Sequence, residues 1–384
     1  MKTLTRPSML ISAVTLGLLL TSSHGVDDKP AGEDVSAALE RLRVESKVPG
    51  LVAMAVQDGE VVAWGAAGER AMGKKDMLSI NDPMHLGSCT KSMTSTLVAR
   101  LIEKEVLTWE TTIAEAMPEF AKQIDEGYHS VTVEALLKHQ GGIAERRRPE
   151  ISSVHGKMAE MKGDPVAVRR EALALVLALP PSPSAPGAYD YSNFGYMTAG
   201  AMIETLTKKS WEQLIVDELF KPLGMESAGI GSPSGEHVPV GHNQVGEALF
   251  PLRPGPGGRL PECMSPAGLA HCNLLDWSRF AAEHLAGARG EDGFLTAESY
   301  QRLQRDHGGS GYAAGWALGN LVWSWGEAKT LEHNGSDGTW LSYVMAIPDV
   351  DLTILVAVNC ASSGAEAVIE DAKNLLLKTA GFKD

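Results

Sequence analysis

Leu51-Val52-Ala53-Met54-Ala55-Val56-Gln57-Asp58-Gly59-Glu60-Val61-Val62-Ala63-Trp64 is the stretch on which the fold turns. Two short apolar runs meet at Asp58-Gly59, a dipeptide that accepts the backbone of a tight turn, so the stretch predicts a β-hairpin. A hairpin needs partners, and the next β-like runs lie at the far end of the chain: Trp316 to Trp323, Thr339 to Ile347 and Leu352 to Asn359. Between the two ends the spacing of apolar residues is helical. Ser92 to Val106, Val131 to Lys138, Val166 to Leu179, Asn193 to Leu206, Trp211 to Leu219 and Leu274 to Leu285 all follow it, with Asn273 as a cap for the last. Val35 to Val44 and Gly364 to Thr379 add a helix near each terminus. Strands from both ends with helices between them imply an α+β fold (an α/β sandwich), in which an antiparallel sheet flanked by helices carries an inserted, mainly helical domain. The expected division is residues 35–80 plus 311–384 for the sheet domain and 81–310 for the insertion.

Outward from this frame, residues 1–25 read as a cleavable export signal. Lys2 and Arg6 give a positive start, Met9 to Leu20 is apolar but short for a membrane span, and Ser23-His24-Gly25 fits a cleavage site. The expected location is secreted or periplasmic, with no stable membrane insertion after cleavage. Residues 26–34 read as a flexible lead-in. The net charge of −14 becomes −16 once Lys2 and Arg6 leave, which argues against nucleic acid as a partner. Arg146-Arg147-Arg148 is the one dense basic cluster, read as a solvated loop or as a neighbour of substrate carboxylates. The four cysteines match no zinc spacing; Cys263 and Cys272 either pair across the loop between them or stay as buried thiols. No metal or organic cofactor is implied, and the oligomeric state is open.

Three segments carry chemistry. Ser88-Cys89-Thr90-Lys91 stands at the start of a helical run, where positions i and i+3 share a face and bring an amine beside a hydroxyl. The helix N-terminus favours an alkoxide, and desolvation favours a lysine able to take a proton. Cys89 turns away from Ser88 and reads as core packing, as do Trp316 and Trp340. In Tyr191-Ser192-Asn193, Tyr191 can exchange protons if a cation such as Lys91 adjoins it, and Asn193 can orient Lys91 and donate to a substrate carbonyl. In His333-Asn334-Gly335-Ser336, Gly335 allows close backbone approach, so that the Ser336 N–H joins that of Ser88 in an oxyanion hole while His333 projects into the cleft. A neutral His333 would make activity on uncharged esters rise between pH 5 and 8.

Taken in order, these segments resemble the penicillin-binding-protein and serine beta-lactamase superfamily, in its class C and esterase-like branch of S12-type serine hydrolases. His139-Gln140-Gly141-Gly142, Tyr189 to Tyr196 and Ser265-Pro266-Ala267-Gly268 extend the resemblance over most of the chain. It implies a site in a groove between the sheet and a helical domain, and attack by Ser88 with Lys91 and Tyr191 relaying the proton. A covalent acyl-enzyme then forms on a small-molecule or peptide-like substrate. Members that hydrolyse β-lactams efficiently carry Lys-Thr-Gly where this chain has His333-Asn334-Gly335; histidine there is more typical of esterases and peptidases. The alternatives left open are a weak beta-lactamase or D,D-carboxypeptidase, or a binding protein that keeps the fold without turnover.

Overall fold

Asp58 and Gly59 both take positive φ, 51° and 77°, as a two-residue hairpin turn demands. They join β2 (Gly50–Gln57) to β3 (Glu60–Gly68), with Gln57 opposite Glu60. The computed structural model describes residues 29–382 except 144, 146–147, 183–186, 254–259, 307 and 325; the expected export signal, the start of the expected lead-in, Arg146 and Arg147 lie outside the described residues. Before the hairpin comes β1 (Glu33–Asp34), and after it β4 (Met84–His85), β5 (Gly229–Ile230), β6 (His242–Val245), β7 (Ala248–Pro251) and β8 (Ala270–Cys272). The chain then supplies β9 (Ala317–Trp323), β10 (Gly326–Ser336), β11 (Leu341–Ile347) and β12 (Leu352–Val358).

The main sheet runs β1-β3-β2-β12-β11-β10-β9 and is drawn from both ends of the chain. Its pairings are antiparallel except β1 with β3, where Glu33 lies opposite Ala63, so the end of the lead-in is a short parallel edge. Central strands are apolar on both faces because both are covered. In β2, Leu51, Ala53 and Ala55 face one core cluster, while Val52, Met54 and Val56 face the other. The first cluster packs on α1 (Ser36–Ser46) and on the closing helix Ser363–Thr379; the second takes in α2 (Thr90–Glu103).

Between α2 and the closing helix, the described residues form α3 (Pro149–Glu160), α4 (Pro165–Leu177), α5 (Asn193–Thr207) and α6 (Leu274–Ala288) among other, shorter helices. The Asn273 side chain accepts from the Asp276 N–H at 2.8 Å and caps α6 as expected. Helix α3 and strand β10 are additions to the sequence expectation. The run expected as a helix from Trp211 is helical to Ile215 and widens into a π turn over Val216–Phe220. Cys263 and Cys272 remain unpaired, and all four thiols are buried. Trp316 and Trp340 are buried in the core.

Candidate active site

Strand β4 delivers the chain into a tight turn, Gly87–Cys89, that leads directly into α2. Gly87 holds φ at 50°, its N–H donates to His85 Nδ1 at 3.1 Å, and its carbonyl accepts from Thr90 Oγ1 at 2.7 Å. Ser88 therefore sits on a fixed turn, partly open to solvent, whereas Lys91 one turn later is fully buried. Lys91 Nζ donates to Ser88 Oγ at 3.1 Å, to Asn193 Oδ1 at 2.8 Å and to the Ala267 carbonyl at 2.7 Å. Three acceptors match the three N–H bonds of an ammonium. The Tyr191 and Tyr196 rings lie 4.9 Å and 5.5 Å from the same nitrogen, where their faces also favour a cation.

Tyr191 and Asn193 reach this point through the loop that opens α5. His139, at φ 58° after a short helix over Val133–Leu137, packs its ring at a tilt against the Tyr191 ring at 4.2 Å, and its Nδ1 accepts the Ser192 N–H at 3.1 Å. Asn193 supplies Oδ1 as one of the three acceptors of Lys91 Nζ. Its Nδ2 donates to Glu145 Oε1 at 3.1 Å, leaving one N–H of that amide for a substrate carbonyl.

Strand β10 closes the other side. A Cβ on Gly335 would stand 1.9 Å from the Leu86 carbonyl oxygen, and one on Gly87 would stand 2.2 Å from the Ser336 nitrogen. Backbone meets backbone here, and only glycine allows it. The Ser336 amide thus lies beside the turn that carries Ser88, the placement an oxyanion hole needs. Ser342 Oγ donates to the Leu86 carbonyl at 2.7 Å, and Cys89 Sγ donates to the His333 carbonyl at 3.3 Å, so the strand and the turn are tied together. Burial pushes the Cys89 thiol up to about 12, which suits it to that structural bond.

His333 departs from expectation. Its ring is buried, 7% exposed, and both nitrogens are engaged: Nδ1 donates to the Asn334 carbonyl at 2.6 Å, and Nε2 accepts from Tyr312 Oη at 3.0 Å. Burial, with Lys91 nearby, pulls its pKa down to about 4. The ring is a neutral support under Tyr312, not a side chain projecting into the cleft, and any effect of its protonation falls below pH 5.

The sequence reading left out Glu145, His155, Tyr196 and Tyr312 as site residues. Glu145 binds both the Ser192 hydroxyl and Asn193, and pairs with His155 from α3. Tyr312, from the segment before β9, joins the aromatic group around His139 at 4.9 Å. No motif marks Glu145, His155 or Tyr312; Tyr196 closes the Tyr189 to Tyr196 segment of the resemblance but has no role assigned there.

Residues 14–378 match the beta-lactamase family. Among curated relatives the chain is 27% identical to "Penicillin-binding protein 4" of Amycolatopsis lactamdurans, over 80% of each protein. It is 21% identical to "Protein flp" of Staphylococcus aureus (strain MW2), covering 88% of this chain and 65% of that one. Its fold is similar to the octameric penicillin-binding protein homologue from Pyrococcus abyssi, with a TM-score of 0.73, 22% identity and coverage of 90% of this chain and 77% of that one. It is also similar to a D-stereospecific amidohydrolase from Streptomyces sp., with a TM-score of 0.69, 20% identity and coverage of 88% and 96%. At these identities the solved structures speak for the fold, and the match along nearly the whole chain speaks for kinship: the chain belongs to the beta-lactamase family.

Proposed function

We propose that this chain is an exported serine acyl hydrolase, acting on ester or amide bonds of small or peptide-like substrates through a covalent acyl-enzyme. The observation that carries the reading is a part-exposed Ser88 whose Oγ lies 3.1 Å from the buried amine of Lys91. With Lys91 as the free amine, the Ser88 proton passes to it as Oγ bonds to the substrate carbonyl carbon. The carbonyl electrons move to an oxyanion facing the Ser88 and Ser336 amides. Collapse of that intermediate breaks the bond to the leaving group, which takes a proton through Tyr191. Water then passes a proton through Tyr191 to the freed Lys91 amine as its oxygen bonds to the acyl carbon, and Lys91 returns that proton to Ser88 Oγ as the acyl–serine bond breaks, releasing the acid.

Two findings support an esterase or D-peptidase-like substrate range over β-lactams. One is the fold shared with the D-stereospecific amidohydrolase. The other is His333, neutral above about pH 4, which offers no cation to a β-lactam carboxylate. The test is fluorophosphonate labelling and p-nitrophenyl ester turnover by the exported fraction, where the labelled chain is expected to lack its first 25 residues. Ser88 is expected to carry the label, and Ser88→Ala to lose about a thousandfold or more in kcat. Nitrocefin turnover is expected to be weak beside ester turnover. Label on another residue, or full activity in Ser88→Ala, would sink the proposal.

A further inference from the structure

Glu145 stands apart from the three motifs, yet it is buried next to the residue that orients the lysine. Its carboxylate accepts from Ser192 Oγ at 3.1 Å, from the Asn193 backbone N–H at 2.5 Å and from Asn193 Nδ2 at 3.1 Å, and His155 Nε2 lies 3.0 Å away. Burial pushes this carboxyl up, but the bonds from His155 and Asn193 outweigh burial and hold it below the usual range. A carboxylate only accepts, so Asn193 must turn Nδ2 toward Glu145 and present Oδ1 to Lys91, 2.8 Å away. His155 reaches Glu145 from α3, part exposed and with its ring 5.1 Å from that of Phe194.

We propose that Glu145 and His155 form a positioning pair for Lys91: by fixing the Asn193 amide they keep an acceptor on the lysine and set the pH range in which it can take the Ser88 proton. The inference rests on the hydrolase reading above. Glu145 touches no reacting atom and acts through Asn193. Titratable groups beside Lys91 among the described residues include Tyr191 and Tyr196 from the α5 side, His333 from β10 and Cys89 on its own turn. Tyr196 is pushed up by burial, Cys89 sits at about 12 and His333 at about 4, so these three keep one protonation state between pH 5 and 8.

Glu145→Gln sets an amide against the Asn193 amide. The Asn193 side chain then gains by flipping, which points Nδ2 at Lys91 and removes an acceptor that favours the charged lysine. Fluorophosphonate labelling of Ser88 is expected to slow by about tenfold on its alkaline plateau, since the amine is no longer held in line with Ser88 Oγ. The acidic limb of its pH–rate profile is expected to move to lower pH. Glu145→Asp, which keeps the charge, is expected to leave the limb near its wild-type position. If Glu145→Gln does not fold by far-UV circular dichroism, the part-exposed His155→Leu decides, with a smaller shift expected in the same direction. A folded variant with the wild-type rate and limb overturns the pair. Failure of wild-type Ser88 to label would count against the hydrolase reading alone. The pair is then judged by 13C NMR titration of Lys91 Cε, where equal midpoints in wild type and Glu145→Gln overturn it.

Discussion

At the scale of single residues, the i and i+3 relation of Ser88 and Lys91 was legible because a helix turn converts sequence spacing directly into distance. Glu145 and Tyr312 were not, since their places depend on how loops from separate segments cross. His333 lies between these cases: its position was readable, its surroundings were not. Burial under Tyr312 lowers its pKa to about 4, so the ring is uncharged throughout pH 5 to 8. His333→Gln is therefore expected to keep the shape of the pH–kcat/KM profile over that range. Its rate is expected to fall by about tenfold at most, the scale of one neutral hydrogen bond. A wild-type rise between pH 5 and 8 that vanishes in His333→Gln would return the histidine to a direct role.

Elements tell a similar story. The hairpin and the central strands announce themselves because both faces are buried and their runs are apolar. Strand β10 hides. Its buried positions change phase between Thr330 and Leu331, and Thr330, His333 and Gly335 occupy buried positions where a reader looks for aliphatic side chains. The short strands β4, β5 and β8 have too few residues to show any period. What β10 does for the site depends on its closeness to the nucleophile turn. Gly335→Ala would drive a methyl group into the Leu86 carbonyl and against Ser342 Oγ, forcing the strand outward. With the Ser336 amide displaced, kcat on p-nitrophenyl esters is expected to fall by about a hundredfold, the scale of one lost oxyanion donor, with KM changed far less. Unchanged steady-state kinetics in a folded variant would show that the close approach serves packing alone.

For the molecule as a whole, several histidines are held neutral by burial. His271 and His333 are lowered to about 4 and His284 to about 3, and His85 and His242 are lowered as well. Each protonates more readily in the unfolded chain, near the ordinary value of 6.5, than in the folded one. The unfolded state thus binds more protons between about pH 6.5 and 4, and stability is complete above that window and declines as pH falls through it. Glu134 is pushed up by burial but drawn to about 2 by Arg302 and Lys138, so it adds its own loss only below its usual value of 4.5. Urea midpoints are expected to drop steadily from pH 6.5 to 4; a flat series would contradict neutral burial. The sheet carries one more consequence, for the order of assembly. Leu352 pairs with Gln57, so this inner pairing joins stretches far apart along the chain. A ribosome releases the hairpin before β12, and that ribbon waits with a bare edge until β12 has emerged. Nascent chains cut short before β12 are left with an adhesive, unpartnered ribbon, the kind of species that chaperones must shield and proteases readily find.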